Sequence, residues 1–255
     1  MVWLERLWLP CAARSSKLDR PAASAAGRIE MQLQILRVLA AAEAQQIVHE
    51  LSSWTFIDGK ASASGIAAQV KHNLQGERKD AAPTALDERI LAALRANAVL
   101  RAFAYPKQLA LPHFSRYEPG MDYGTHVDGA IMGGGGGTPP FRTDLAMTLF
   151  LAPPDSYDGG ELIIQDCFGE QEIKLDAGEA VVYSANSLHR VAPVTRGVRL
   201  AAVTWIQSSV RDERMREILF DLQRAASAAA PKIDASTQLL LAKCHQNLLR
   251  LVVEP

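Results

Sequence analysis

Apolar positions follow a helical period at both ends of the chain and a strand-like texture between them. Segment 43–54 places apolar residues one and three positions apart, which predicts an amphipathic helix with one buried stripe. The same period predicts a helix over 84–101, with Thr84 as its candidate N-cap. From Arg211 the helical period returns, and a last helix is predicted over about 236–252.

Between these helical regions, short apolar runs alternate with turns rich in Gly, Pro and Asp. The runs that predict strands are 109–117, 122–127, 144–152, 160–165, 171–175, 179–183, 188–194 and 198–208. So many short strands at close spacing are typical of a sandwich or barrel. Runs 144–152 and 198–208 are apolar at most positions, so we expect both to be buried on both faces of a sheet.

The charge, the apolar runs and the cysteines of the chain exclude several classes of function. The 255 residues carry a formal net charge of −1, which argues against a nucleic-acid binder that relies on a basic field. Apolar runs stay well short of the ~18 residues that a membrane span needs, so no membrane partner is expected. The three cysteines, Cys11, Cys167 and Cys244, are too scattered for a disulfide framework or a paired-cysteine metal site. A reducing, cytoplasmic location is the expectation.

The first thirty residues differ from the rest because the periodic sequence begins only after Met31. They predict a disordered extension, or upstream translation with Met31 as the usual start. A transit peptide is the less favoured alternative because acidic residues are present. The chain is thus divided into the extension 1–30, a helical part 31–108, a β core 109–208 and C-terminal helices 209–255.

Candidate chemistry begins with His126 and Asp128. Residues i and i+2 of a strand point to the same face, so an imidazole and a carboxylate would lie side by side. Taken alone, this pair is better explained as an ordinary histidine and aspartate at a surface strand end. His189, in another predicted strand, adds a second imidazole, although it could also be a satisfied core histidine. Two imidazoles and one carboxylate with open positions suit non-haem Fe(II) and O₂ chemistry.

Arg199 follows His189 by ten residues in an otherwise apolar run. If 188–194 and 198–208 form a hairpin, Arg199 lies near the far end of the site from the metal. A buried arginine requires an anionic partner, and its planar guanidinium can bind a carboxylate through two hydrogen bonds. The alternative is an arginine on an exposed strand edge.

Other conspicuous residues predict structure instead of chemistry. The glycine run 133–137 lacks the lysine of a phosphate-binding loop. The DGGE sequence at 158–161 predicts a tight turn and lacks the ligand spacing of a calcium loop. Arg142 and Asp144 are expected to pair at a strand start, and Trp205 is expected in the core.

From Met31 to the C-terminus the sequence resembles the PKHD-type hydroxylases, which are Fe(II)/2-oxoglutarate dioxygenases of the prolyl-4-hydroxylase-like branch. The resemblance is carried by FIDGKASAS, VKHNLQ, FSRYEPGMDYGTHVDGAIM, RTDLAMTLFLAPPDSYDGGELII, KLDAGEAVVYSANSLHRVAPVTRGVRLAAVTWIQSSVRD and CHQNLLRLV. It implies a mainly β fold, a double-stranded β-helix (jelly-roll) core with N- and C-terminal helices.

The resemblance further implies that His126, Asp128 and His189 bind iron and that Arg199 binds the distal carboxylate of 2-oxoglutarate. The implied reaction decarboxylates 2-oxoglutarate to succinate and CO₂ and hydroxylates a substrate C–H bond with O₂. L-ascorbate is a candidate additional cofactor. The side chains proposed to support the co-substrate, each of which could equally be a strand or core residue, are Tyr117, Tyr123, Thr148 and Tyr183.

The chain departs from the family pattern at residues 1–30, at the glycine run with Pro139 and Pro140, and at Ala146, where serine is common. None of these positions is an implied ligand. The substrate stays open between small molecules and peptides, as does the oligomeric state. Two alternatives remain, a non-catalytic cupin-like module that binds a metal or small acid, and an iron/2-oxoglutarate sensor. The position of Arg199 argues against a plain cupin.

Overall fold

The computed structural model describes residues 33–78, 82–133, 139–166 and 169–254. The predicted extension 1–30, most of the glycine run and two of the three cysteines lie outside these ranges. The helices are α1 (Ala41–Leu51), α2 (Gly65–Gln69), α3 (Ala85–Ala96), α4 (Ala98–Ala104), α5 (Glu213–Ala229) and α6 (Ala235–Val252). None of the helices in the described ranges is long and apolar enough to cross a membrane.

Strands fill the predicted β core 109–208, but four more strands lie within 33–76, in the part of the chain that was predicted to be helical. They are β1 (Leu33–Arg37), β2 (Phe56–Asp58), β3 (Lys71–His72), β4 (Leu74–Gly76), β5 (Pro106–Leu109), β6 (His113–Tyr117), β7 (Asp122–His126), β8 (Ile131–Met132), β9 (Phe141–Arg142), β10 (Leu145–Phe150), β11 (Tyr157–Gly159), β12 (Leu162–Asp166), β13 (Gly169–Ile173), β14 (Glu179–Ser184), β15 (His189–Val191), β16 (Val194–Gly197) and β17 (Arg199–Ser208).

Two antiparallel sheets form the β core. The larger has the order β1-β14-β10-β17-β6-β4-β2, with β5 beside β17, and the smaller has the order β13-β12-β15-β7-β3. Phe150 and Val181 of the larger sheet share one buried apolar cluster with Leu162 and Ile164 of the smaller, so the sheets face each other. The opposite face of the larger sheet packs on α1, α3 and α4. All six residues of β10 are buried, which confirms its predicted double burial.

The helical prediction for 84–101 is correct at its start and wrong in its length. Oγ1 of Thr84 accepts a hydrogen bond from the backbone N–H of Asp87 at 3.2 Å, and the Asp87 carboxylate accepts one from the Thr84 N–H at 2.8 Å. The helix ends before Asn97, whose extended backbone (ψ 114°) ends α3 and starts α4. The Asn97 side chain accepts from the Leu100 N–H at 3.0 Å, so it caps the new helix.

The predicted hairpin between 188–194 and 198–208 is wrong. The first run divides into β15 and β16, and β15 joins the smaller sheet, between β12 and β7. The second run, β17, lies in the larger sheet between β10 and β6. β16 pairs instead with β11. Arg199 therefore reaches the space between the sheets from the wall opposite His189.

Candidate metal centre

Two neighbouring strands of the smaller sheet bring the three predicted ligands together. His126 ends β7 and His189 starts β15, and the two residues are direct partners in this antiparallel pair. Asp128 follows two residues after His126. One ligand atom from each of the three side chains lies within 4.8 Å of the other two. Nε2 of His189 is 3.8 Å from Oδ2 of Asp128, and the imidazole centroids are 4.3 Å apart.

Backbone carbonyls orient both imidazoles. Nδ1 of His126 is 2.8 Å from the Gly124 oxygen, and Nδ1 of His189 is 3.0 Å from the Ser187 oxygen. A carbonyl oxygen only accepts, so Nδ1 carries the proton and Nε2 keeps its lone pair for a metal. Burial lowers the pKa of His126 to about 4, and His189 adds to that shift. At neutral pH His126 is therefore the uncharged imidazole that metal binding needs.

Asp128 supplies the negative charge of the cluster. Its Oδ2 is buried and has no hydrogen-bond partner among the described residues. Burial raises the pKa of this carboxyl, although His189 and the Trp205 indole partly oppose the shift. An unpaired buried carboxylate oxygen is costly, and a divalent cation between the imidazoles would satisfy it. The donor set and this orphaned oxygen therefore fit the Fe(II) that the sequence implied.

Aromatic rings pack against both candidate ligand imidazoles. The ring of Tyr123 stacks on His126 at a centroid distance of 3.6 Å, with 15° between the planes. The ring of Tyr183 meets His189 edge-on at 5.2 Å. Thr148 hydrogen-bonds the Tyr183 phenol. Three of the four predicted co-substrate side chains thus lie at or beside the cluster, and two of them contact ligand rings directly.

Arg199 is buried in the opposite wall and is only 1% exposed, which rules out the exposed-edge alternative. Its guanidinium carbon lies 5.1 Å from the ring centroid of Tyr117, the fourth predicted side chain, and 5.3 Å from that of Phe150. Nε of Arg199 is buried without a partner among the described residues. Burial raises the pKa of Tyr183 well above its usual value, and the charge of Arg199 opposes part of this rise, so the arginine and the candidate ligand cluster share one interior space.

Sequence reasoning missed Lys71, which is only 7% exposed. Lys71 pairs with Tyr123 across β3 and β7, and its ammonium lies 5.2 Å from the centroid of that ring. Its Nζ donates to Oγ of Ser62 at 2.9 Å and to Oε1 of Gln75 at 3.2 Å. The residue stands in the VKHNLQ stretch, but a single lysine in a two-residue strand has no periodic pattern that would reveal its burial.

The structure confirms the structural roles predicted for the Arg142–Asp144 pair, for Trp205 and for the DGGE turn. Nε of Arg142 donates to Oδ1 of Asp144 at 2.6 Å, and Trp205 is buried. The DGGE sequence forms a turn in which Gly159 and Gly160 have φ values of 72° and 68°, conformations that favour glycine.

The family model for the 2OG-Fe(II) oxygenase superfamily matches residues 112–207, which include all four predicted site residues. A PKHD-type hydroxylase of Paraburkholderia phymatum is 46% identical over 226 residues, 87% of this chain and 98% of the relative. PKHD-type hydroxylase YbiX of Escherichia coli O1:K1 / APEC is 40% identical and is covered to 98%.

Among solved structures, a Pseudomonas putida prolyl-4-hydroxylase superposes with a TM-score of 0.51 at 20% identity. The match covers 69% of this chain and 92% of that protein. At this identity the likeness speaks for the fold, and it confirms the predicted double-stranded β-helix with flanking helices.

Proposed function

Since this chain belongs to the PKHD-type hydroxylases of the 2OG-Fe(II) oxygenase superfamily, we propose that His126, Asp128 and His189 bind its Fe(II) and that Arg199 binds 2-oxoglutarate. The protein is an Fe(II)- and 2-oxoglutarate-dependent dioxygenase that hydroxylates a substrate C–H bond. Because its family consists of hydroxylases, the cupin-like module and the sensor are not retained as functions. The main support for this assignment is that one potential ligand atom from each of His126, Asp128 and His189 lies within 4.8 Å of the other two.

The iron, when bound, supplies the oxidising chemistry that couples O₂ to decarboxylation of the 2-oxo acid. The protein's part is to bind and orient. His126 and His189 present Nε2 atoms whose orientation is set by carbonyl hydrogen bonds. Asp128 contributes one negative charge against the two positive charges of a bound Fe(II). The site would therefore stay positively charged, which favours binding of an anionic co-substrate. Because the site lies between the two sheets, its burial excludes water from the reacting groups.

Arg199 is assigned to the distal carboxylate of 2-oxoglutarate. Its burial, its unpartnered Nε and its place in the wall facing the ligand strands support this assignment. An arginine held between aromatic rings can bind a carboxylate through a rigid pair of N–H donors. L-ascorbate, as a reductant of the iron, and a small-molecule or peptide substrate complete the proposed set of partners.

The assignment is tested by CO₂ release from carboxyl-labelled 2-oxoglutarate. Wild-type protein with Fe(II) and ascorbate should release CO₂ and form succinate in equal amounts, and Asp128→Ala should form neither above background. Arg142→Lys keeps a charge at a position outside the site and serves as the control, with wild-type release expected. Equal release by wild type and Asp128→Ala would refute the assignment of this carboxylate.

A further inference from the structure

Lys71, which the proposed chemistry leaves unused, is a buried cation with neutral partners. Its side chain is 7% exposed, and its ammonium donates to Oγ of Ser62 at 2.9 Å and to Oε1 of Gln75 at 3.2 Å. Among the residues that the structure describes, no carboxylate forms an ion pair with it, and Asp128 and Asp58 act on it only as nearby charges. A buried charge without a counter-ion is costly. An ammonium has three N–H donors, so one remains for a further acceptor.

The ammonium of Lys71 lies beside the metal centre. Lys71 and Tyr123 are cross-strand partners on β3 and β7, and Nζ of Lys71 is 5.2 Å from the ring centroid of Tyr123, the ring that stacks on His126. Burial lowers the pKa of Lys71, and the charge of Asp128 opposes part of this shift. Burial raises the pKa of Asp128, and the charge of Lys71 opposes part of that rise. A ligand bound by the ammonium is therefore close to the metal.

A neutral hydrogen-bond network fixes the ammonium without cancelling its charge. Nε2 of Gln75, which only donates, is 2.8 Å from Nδ1 of His113, so this ring nitrogen accepts. That orientation of the amide directs Oε1 of Gln75 to the ammonium of Lys71. Burial lowers the pKa of His113 to about 4, and the charges of Arg78 and Lys71 add to the shift, so the imidazole is uncharged at neutral pH. The network therefore orients a cation and leaves its charge for a ligand.

Lys71 and Arg199 belong to different parts of this interior. Arg199 lies on β17 of the larger sheet, where the rings of Tyr117 and Phe150 flank its guanidinium. Lys71 lies on β3, at the edge of the smaller sheet, and its ammonium lies over the ring of Tyr123. An anion bound by Lys71 is therefore separate from the carboxylate that is assigned to Arg199.

We propose that Lys71 binds a carboxylate of the substrate that is hydroxylated, and that it selects substrates that carry this group. The inference rests on the proposed function, in which the neighbouring side chains bind Fe(II). Asp128 and Asp58 make the surroundings of the ammonium partly negative, so a singly charged carboxylate fits better than a doubly charged phosphate. The remaining N–H of the ammonium gives this carboxylate a charge-assisted hydrogen bond. Lys71 is thereby a specificity-determining residue that binds neither iron nor 2-oxoglutarate.

Linear monocarboxylates from acetate to octanoate, with the uncharged carboxamides of the same lengths, are the probes that test this inference. Mn(II) at the metal centre speeds the NMR relaxation of protons bound near it, so the relaxation of each probe reports its binding to Mn(II)-loaded protein saturated with 2-oxoglutarate. The wild type should bind at least one monocarboxylate in a saturable way, and the matching carboxamide roughly 10- to 100-fold more weakly. Lys71→Met should weaken binding of that monocarboxylate by the same factor, roughly 10- to 100-fold, the effect of losing one hydrogen bond to a charged group.

Two further variants and a second ligand separate a binding role from a structural one. Lys71→Arg keeps the charge and should recover part of the monocarboxylate binding. Lys60→Met removes an exposed lysine from the neighbouring segment Gly59–Ser62 and should leave every affinity unchanged. Lys71→Met should bind 2-oxoglutarate within twofold of the wild type, which would show that its metal centre and co-substrate site are intact.

Three results would overturn the inference. The wild type could bind none of the monocarboxylates, or Lys71→Met could bind them as the wild type does. Lys71→Met could also lose 2-oxoglutarate binding together with monocarboxylate binding, which would identify a structural lysine. Each of these results leaves the proposed function intact as long as the wild type binds 2-oxoglutarate. If the wild-type protein binds no 2-oxoglutarate, the proposed function itself is wrong.

Discussion

At the scale of single residues, the candidate metal ligands were predictable from the sequence, whereas the buried residues around them were not. His126 and Asp128 were predicted as a pair from the i and i+2 pattern of a strand, although β7 ends at His126 and Asp128 lies just beyond it. That His189 joins them was implied by the family resemblance, and the β7–β15 pairing supplies the physical reason. Lys71 escaped detection because the burial of a lone polar residue depends on contacts distant in sequence.

Arg199 should control 2-oxoglutarate binding and leave metal binding intact. Breaking a buried charged pair costs about 2–5 kcal/mol, roughly 30- to 4000-fold in affinity, and we expect that loss in Arg199→Ala. Arg199→Lys should recover part of it, since the charge returns without the planar fork. Titration of 2-oxoglutarate into Mn(II)-loaded protein measures both variants. Binding by Arg199→Ala within twofold of wild type would assign the carboxylate to another residue.

Because of Lys71, the free energy of unfolding should rise with pH in the alkaline range. Burial lowers its pKa to about 8 from 10.5, although Asp128 and Asp58 oppose the shift. Between these values the folded chain releases the proton while the unfolded chain retains it, so raising the pH favours folding. Relative to Lys71→Met, the wild type should gain up to roughly 3 kcal/mol between about pH 7 and about pH 11. Urea unfolding at both pH values measures the gain, and a constant difference would contradict it.

At the scale of elements, local signals located starts better than ends. The Thr84 cap begins α3 as predicted, because the sequence itself supplies both partners of the capping box. The break at Asn97 was missed because the apolar period continues through it while the side chain caps the next helix. The prediction of a hairpin after His189 was wrong because closeness in sequence does not reveal which sheet a strand joins.

The ion pair between Arg78 and Asp87, in the first turn of α3, should stabilise the whole protein. Both oxygens of Asp87, which is 0% exposed, accept from Arg78 at 2.7 Å. Asp87→Asn should lower the free energy of unfolding by roughly 2–4 kcal/mol, as expected for breaking a largely buried pair. The exposed Glu88→Gln on the same helix is the control, with a change below about 0.5 kcal/mol expected.

The same pair predicts an acid dependence. Burial would raise the pKa of Asp87, but Arg78 and Thr84 together hold it below its usual 3.8. A carboxyl whose pKa is lower in the folded than in the unfolded protein stabilises the fold fully at pH values above its unfolded-state pKa. This stabilisation is lost as the pH falls through its folded-state pKa. The difference in unfolding free energy between wild type and Asp87→Asn should thus shrink below about pH 4. A difference that is independent of pH would show that the lost stability has another source.

At the scale of the whole molecule, the strands of 109–208 and the C-terminal helices were predictable from periodicity. The four strands within 33–76 and the packing of the two sheets face to face were not. Alternating short strands fit a sandwich or a barrel equally. The family resemblance decided for the double-stranded β-helix, which the structural likeness confirms. In this fold, Arg199 of the larger sheet lies opposite the two strands of the smaller sheet that carry the candidate ligands His126 and His189.

Residues 1–30 should be dispensable, because the apolar period starts only after Met31. A chain that begins at Met31 should melt at the same temperature as the full chain and release CO₂ from 2-oxoglutarate at the same rate. Differential scanning calorimetry and the decarboxylation assay check the two expectations. A loss of several degrees would show that the first thirty residues contribute to the stability of the folded protein.

Anaerobic titration of Fe(II) into wild-type protein and into His126→Ala, Asp128→Ala and His189→Ala tests the central assignment most directly. The wild type should bind one Fe(II) per chain. Each variant should bind it far more weakly, while the far-ultraviolet circular dichroism stays that of the wild type. Arg199→Ala should bind Fe(II) as the wild type does, because Arg199 is assigned to the co-substrate. Wild-type stoichiometry and affinity in His189→Ala would contradict the account, because the iron would then be held elsewhere.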